Sequence, residues 1–194
     1  GDQPLLWVLS DRGWAYIGKR DYDRAITDLN ESIRLDPTFA PAFNLRGWAR
    51  NEKRDTAAAL ADLNESIRLN PKYAPAYNNR GHSFREKGDL ERALADYSEA
   101  IRLSPRWALP YNNRGQILAK KGDHNKAIAD YTQALSLDAK ALRPYGNRAD
   151  SYRELGKTDL AIADYRKVTQ LPADDATDRQ RQEAARERIT RLTE

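Results

Sequence analysis

One spacing governs this sequence: its marks return every 34 residues. A leading aromatic stands at Phe43, Tyr77, Tyr111 and Tyr145. Four places later come Gly47, Gly81, Gly115 and Ala149, with Gly13 in register before them. Ala25, Ala59, Ala93, Ala127 and Ala161 repeat on the same spacing. Apolar residues inside each unit fall three, four and seven apart, as in Tyr77, Phe84, Leu94, Tyr97 and Ile101, which is the spacing of helices and not of strands. A fixed period of this length with two helices per unit marks a repeat array, and such a stack has no single central core. The chain is therefore all-α.

Each boundary has a physical cause. Pro37, Pro71 and Pro105 disfavour helix in the residue before them and so end the second helix of their units. Pro41, Pro75, Pro110 and Pro144 fall in the first turn of the next helix, where a missing N–H is harmless. Gly88, Gly122 and Gly156 sit between paired helices, where a left-handed residue ends the first. Arg20 and Arg54 occupy that place in the first two units, so those turns are expected to be strained or capped differently. The boundaries give a lead-in of residues 1–5, five repeats at 6–39, 40–73, 74–107, 108–141 and 142–175, and a tail at 176–194. The segment DLNESIRL occurs verbatim at Asp28–Leu35 and Asp62–Leu69, which points to internal duplication.

Gly81 and Ala93 lie one on each helix of their unit and predict a close backbone approach. Arg12, Arg46, Arg80, Arg114 and Arg148 precede the small residue in every unit, and Asp28, Asp62, Asp96, Asp130 and Asp164 follow each Arg by 16 residues. Ion pairs along the stack are one reading of this ladder; a rail of guanidiniums for anionic ligands is the other. After Leu171 the pattern fails. A polar joint leads into one more helix with Ala185, Ile189 and Leu192 as its apolar stripe, and Arg179, Arg181, Arg186, Glu187, Arg188 and Arg191 on its other faces. Covering the exposed end of the array is the favoured role, and binding a partner the alternative.

Composition excludes several classes of function. The 33 basic and 29 acidic residues alternate finely and leave a net charge of +4, whereas a nucleic-acid binder gathers its cations on one stripe. No apolar run approaches the ~20 residues that span a bilayer, and no apolar stretch at the N-terminus reads as a signal peptide. The chain is expected to be soluble, cytoplasmic or periplasmic. It contains no Met, which predicts either an added Gly1 or a processed or excised piece, and no Cys, which removes disulfides, thiolate metal sites and a cysteine nucleophile. His82 and His124 lie in different units without a metal-ligand companion four residues on, so no metal is expected. No glycine-rich phosphate loop occurs and Asp174 and Asp175 read as a helix start, so neither cofactor nor catalytic activity is expected.

Together, Tyr77, Gly81, Phe84, Ala93, Tyr97, Ala100 and Pro105 carry a resemblance to the tetratricopeptide repeat (TPR) family. Arg50 and Leu118 depart from it in place of the second aromatic, as do Ala139 and Ala173 in place of the closing proline. The Arg before each glycine resembles a bacterial style of the repeat. The resemblance implies a right-handed superhelical solenoid of about five TPR helix pairs plus a C-terminal capping helix. Its first helices would line a concave groove for an extended peptide or a partner helix.

Carried over, the groove positions are Trp7, Ser10, Asp11 and Trp14 in the first repeat, then Asn44, Leu45, Trp48 and Glu52 in the second. The third offers Asn78, Asn79, His82 and Arg85, and the fourth Asn112, Asn113, Gln116 and Lys120. The fifth offers Arg143, Asn147, Asp150 and Arg153. Asn79, Asn113 and Asn147 suit a peptide backbone, because an amide both donates and accepts; bonding to neighbouring helices or water is the alternative. As exposed sites they are expected to change stability by only about 0.5 kcal/mol on replacement by Ala. Trp14 and Trp48 either form an apolar pocket or bury against the first helix. The clamp that some members use for chaperone C-termini matches fully only at Asn113, so that ligand is not expected. The reading is an interaction scaffold for a protein or peptide partner, as a monomer with self-association open, and without nucleic acid or membrane insertion. The alternatives are an accessory region of a larger enzyme and a self-assembling scaffold.

Overall fold

The structure is a computed structural model and describes residues 3–194, with side chains from Leu5 onward. Eleven α-helices and no strand make up the described residues. They form two compact units, one ending at Ser104 and the other running Pro105–Glu194. The first unit holds α1 (Gln3–Gly18), α2 (Tyr22–Leu35), α3 (Ala40–Glu52), α4 (Thr56–Leu69), α5 (Ala74–Glu86) and α6 (Leu90–Leu103). Residues 1 and 2 of the sequence-derived lead-in lie outside the described residues, and α1 already begins at Gln3. The second unit holds α7 (Ala108–Lys120), α8 (His124–Leu137), α9 (Leu142–Glu154), α10 (Thr158–Gln170) and α11 (Ala176–Thr193).

Consecutive helices of the first unit pair as hairpins, α1 with α2, α3 with α4 and α5 with α6, and α2 and α4 each pack on the hairpin that follows. The first helices α1, α3 and α5 lie side by side. In the second unit α7 pairs with α8 and α9 with α10, while α11 packs on α10 and α9. The starts of α3, α5, α7, α9 and α11 fall at residues 40, 74, 108, 142 and 176, so the 34-residue register runs on into the tail. Helix α11 thus stands where a sixth repeat would place its first helix. It covers Tyr165, Val168 and Leu142 with Ala185, Ile189 and Leu192, the capping role expected of it.

All five hairpin turns are built alike. The second residue after each first helix is left-handed, at φ 79° for Gly88, 84° for Gly122 and 69° for Gly156. Arg20 and Arg54 take the same conformation at 60° and 65°, so the first two turns keep the common geometry and bear its strain. In each turn the next N–H reaches back five residues, for example Asp55 N to Arg50 O at 2.9 Å and Asp89 N to Phe84 O at 2.9 Å, satisfying carbonyls the helix end leaves open. The same residue then caps the following helix. The carboxylates of Asp21, Asp55, Asp89 and Asp123 accept the N–H three residues on, whereas Lys157 in the fifth turn offers no such acceptor.

Within a hairpin the expected close approach is present. A Cβ at Gly47 would lie 2.8 Å from Leu63 Cγ, and one at Gly115 only 2.7 Å from the Tyr131 ring. The facing alanines Ala59, Ala93 and Ala127 are fully buried. Small residues on one helix thus admit one large side chain from the other.

Candidate binding faces on the first helices

The arginine ladder resolves into clamps between helices. Each Arg grips the Asp of its own repeat through two nitrogens, Arg46 on Asp62 at 2.9 and 2.7 Å and Arg80 on Asp96 at 2.8 and 2.7 Å. The remaining nitrogen reaches the preceding repeat, from Arg46 to Asn30 at 2.7 Å, Arg80 to Asn64 at 2.9 Å and Arg148 to Thr132 at 2.9 Å. The same guanidinium lies over an aromatic ring, that of Phe43, Tyr77, Tyr111 or Tyr145 according to the repeat. The hydrogen bonds to Asp96 raise the pKa of Arg80 further, against the opposing effect of burial. Arg50, which replaces an aromatic, puts a second guanidinium on Asp62 at 2.8 Å. These side chains tie repeats together and are not a rail for ligands.

The asparagines are more enclosed than their sequence position suggests. Asn44, Asn78, Asn112 and Asn113 are buried, and Asn79 and Asn147 half-buried. Asn79 donates to the Asn44 carbonyl at 2.9 Å, and Asn147 donates to Asn112 at 3.0 Å, so amides link successive first helices. Asn78 in turn donates to Asn79 at 3.3 Å, and Asn112 to Asn113 at 3.5 Å. The expectation of near-silent, exposed amides is corrected: part of their bonding capacity holds the stack. Each amide carries two donors and a carbonyl with two lone pairs, so one helix–helix bond leaves capacity at Asn79 and Asn147.

The tryptophans stay open. Trp14 is 55% exposed and its ring centroid lies 5.0 Å from that of half-buried Trp48, tilted by 58°. The Trp48 N–H donates to Glu52 at 3.3 Å. Trp7, 52% exposed, meets the edge of Phe39 at 4.7 Å. Leu5 and Val8 are exposed too, although the counterparts of Val8, Ala42 and Ala76, are fully buried beneath the preceding repeat. Next along this face, His82 is half-buried with Nε2 3.9 Å from Glu86. Burial pushes its pKa down, and nearby Arg85 adds to this.

In the second unit, Gln116 is half-buried and Arg143 exposed. A cleft of about 280 Å³ opens between α9, α10 and α11, with Arg143, Gly146, Asn147, Asp150, Tyr165 and Arg188 among its walls. Sequence reasoning names Arg143, Asn147 and Asp150 here. It misses Gly146, Tyr165 and Arg188, although the lone glycine at 146 follows three asparagines at 44, 78 and 112 in the same register. The Tyr165 hydroxyl donates to Asp150 at 2.6 Å, and Arg188 lies 3.5 Å from the same carboxylate. Among the described residues no group of His, Cys, Asp and Glu is arranged to hold a metal ion, and no helix is long and apolar enough to cross a membrane.

Family models described as tetratricopeptide repeat match residues 10–74, 63–95, 108–140 and 142–175, and one described as TPR repeat matches 81–122. This chain belongs to the tetratricopeptide repeat family. Among solved TPR-like structures, a thermophilic TPR protein of Thermus thermophilus is 25% identical, with a TM-score of 0.79 over 93% of this chain and 98% of that one. The pilF protein of Pseudomonas aeruginosa is 17% identical, with a TM-score of 0.83 over 99% and 93%. A chain of the APC/C hetero-tetramer Cut9-Hcn1 is 21% identical, with a TM-score of 0.78 over 95% of this chain but 37% of that one. No curated protein matches in sequence. The TPR fold generally serves as a non-catalytic scaffold for protein interaction, which implies protein partners in general.

Proposed function

We propose that the TPR first helices bind an extended peptide or a partner's helix, on the face that carries Trp14, Trp48, Asn79 and His82 in the first unit, while Asn147 and Arg143 offer a face of their own in the second. The observation that carries this is the Trp14–Trp48 pair, two indoles in contact while Trp14 remains 55% exposed. Two adjacent large aromatics at a surface are costly to leave wet, and aromatic anchors of this kind dominate binding energy at interfaces. Half-bonded amides beside them supply the donors and acceptors that an extended backbone needs.

A peptide array screened with the wild-type chain and with a Trp14→Ala/Trp48→Ala variant tests the proposal. Loss of most hits in the variant, with helical circular dichroism unchanged, supports it. Hits indifferent to both tryptophans would refute it. A second reading, self-association, is favoured by the exposed Leu5 and Val8 on α1. Light scattering decides it: a mass that stays monomeric into the high micromolar range removes that reading.

A further inference from the structure

In the second and fourth repeats the buried asparagine of the first helix accepts an amide N–H from the first helix that follows, Asn44 from Asn79 and Asn112 from Asn147. On α9 the same register position is Gly146. A Cβ there would meet nothing nearer than Val168 Cγ2 at 4.0 Å, in contrast to the crowded glycines of the hairpins. On α11 the residue in register with Asn147 is Arg181, which lines the cleft and pairs with Asp178 at 2.6 Å. The cross-helix amide bond is therefore missing, and the cleft takes its place. Its floor is apolar, from Leu142, Val168 and Ala185. Its rim carries more arginine than carboxylate: Arg188 leans over the Tyr165 ring at 5.6 Å and lies 3.5 Å from Asp150, and exposed Arg143 helps hold the Asp175 carboxylate below its usual pKa. Asp150, the carboxylate in the wall, is already engaged by the Tyr165 hydroxyl.

We propose that this cleft anchors one apolar side chain of an acidic peptide, whose flanking carboxylates pair with Arg143 and Arg188. The inference rests on peptide binding by the first helices and adds to it a subsite and a sequence preference. Carboxylates flanking an apolar residue suit the site because the floor offers no polar partner and the rim offers guanidiniums, which bind carboxylates in planar pairs.

The test uses a fluorescein-labelled peptide of one leucine flanked on each side by two glutamates. Two controls accompany it, one with the leucine replaced by glycine and one with lysines for glutamates. Fluorescence anisotropy should show the wild-type chain preferring the first probe over both controls by about tenfold or more. Gly146→Asn, which restores the side chain of the other repeats and fills the cleft, should weaken that probe by about tenfold, and Arg143→Glu should reverse the charge preference. Should Gly146→Asn lose its helical signal, Arg143→Glu at an exposed site still decides. Equal binding by wild type and both variants, or no binding of the leucine probe, overturns the proposal. Array peptides that depend on Trp14 and Trp48 while ignoring Gly146→Asn would sink the cleft and leave the first-helix face standing; absence of any bound peptide would sink both.

Discussion

Asp96 is 5% exposed and receives two hydrogen bonds from Arg80, whose side chain is itself only 22% exposed. Asp96→Ala strands that guanidinium, and breaking such a buried pair costs about 3 kcal/mol. The contrast is Glu99→Ala, which frees an Arg102 that is 68% exposed and should cost well under 1 kcal/mol. Urea unfolding of the two variants side by side checks the difference. Arg54 makes the opposite case. Its backbone sits at φ 65°, where a side chain clashes with the following carbonyl, so Arg54→Gly should raise stability by about 0.5–1 kcal/mol even though it removes a side chain. Asn79→Ala should cost about 1 kcal/mol through its bond to Asn44, beyond any loss in peptide affinity. The 16-residue offset made the Arg–Asp pairs legible in the sequence. The third contact of each Arg was not, because Asn30, Asn64 and Thr132 carry no mark of their own and meet the Arg only once the repeats stack.

Helices here are held at their ends as much as along their flanks. Four second helices carry an aspartate cap and α10 carries Lys157, so Lys157→Asp should add about 1 kcal/mol to the second unit, read as a shift of its unfolding midpoint. The caps also set a pH dependence. The backbone N–H and guanidinium of Arg92 hold Asp89 below the usual carboxylate range, and Lys126 does the same for Asp123. A carboxylate with a lowered folded pKa stabilises fully above its unfolded value near pH 4, and that stability drains as pH falls through the folded value. Thermal stability should therefore decline on acidification below about pH 4, and Asp89→Asn should flatten part of the decline in a series of melting curves. Helix boundaries were legible from proline and glycine, while the aspartate caps came to light only in the structure. The place of α11 in the 34-residue register was not, since Arg179 and Glu183 stand where the repeat would put its aromatic and its small residue. What survives is length and an apolar stripe, enough to foretell a cap but not its register.

At the scale of the molecule, the array separates two tasks that share the first helices. One edge of these helices is consumed in stacking, by small residues against large ones and by arginine clamps. The other edge keeps indoles, half-bonded amides and the Gly146 cleft facing outward. Because each hairpin contacts only its neighbours, exposed face residues such as Trp14 can vary without disturbing the fold, which is why repeat arrays are suited to recognition. The division between the tasks was only partly visible in the sequence. Trp14 and Trp48 stand out by type, but the burial of Asn44, Asn78 and Asn112 depends on how closely adjacent first helices approach. Nuclear magnetic resonance of the labelled chain, titrated with the tightest peptide from the array, tests the account most directly, since the four tryptophans give separate indole signals. The account predicts that the Trp14 and Trp48 indoles and the backbone amides of α3 and α5 move together while α2 and α4 stay still. Shifts confined to α2 and α4, with both indoles unmoved, would contradict it.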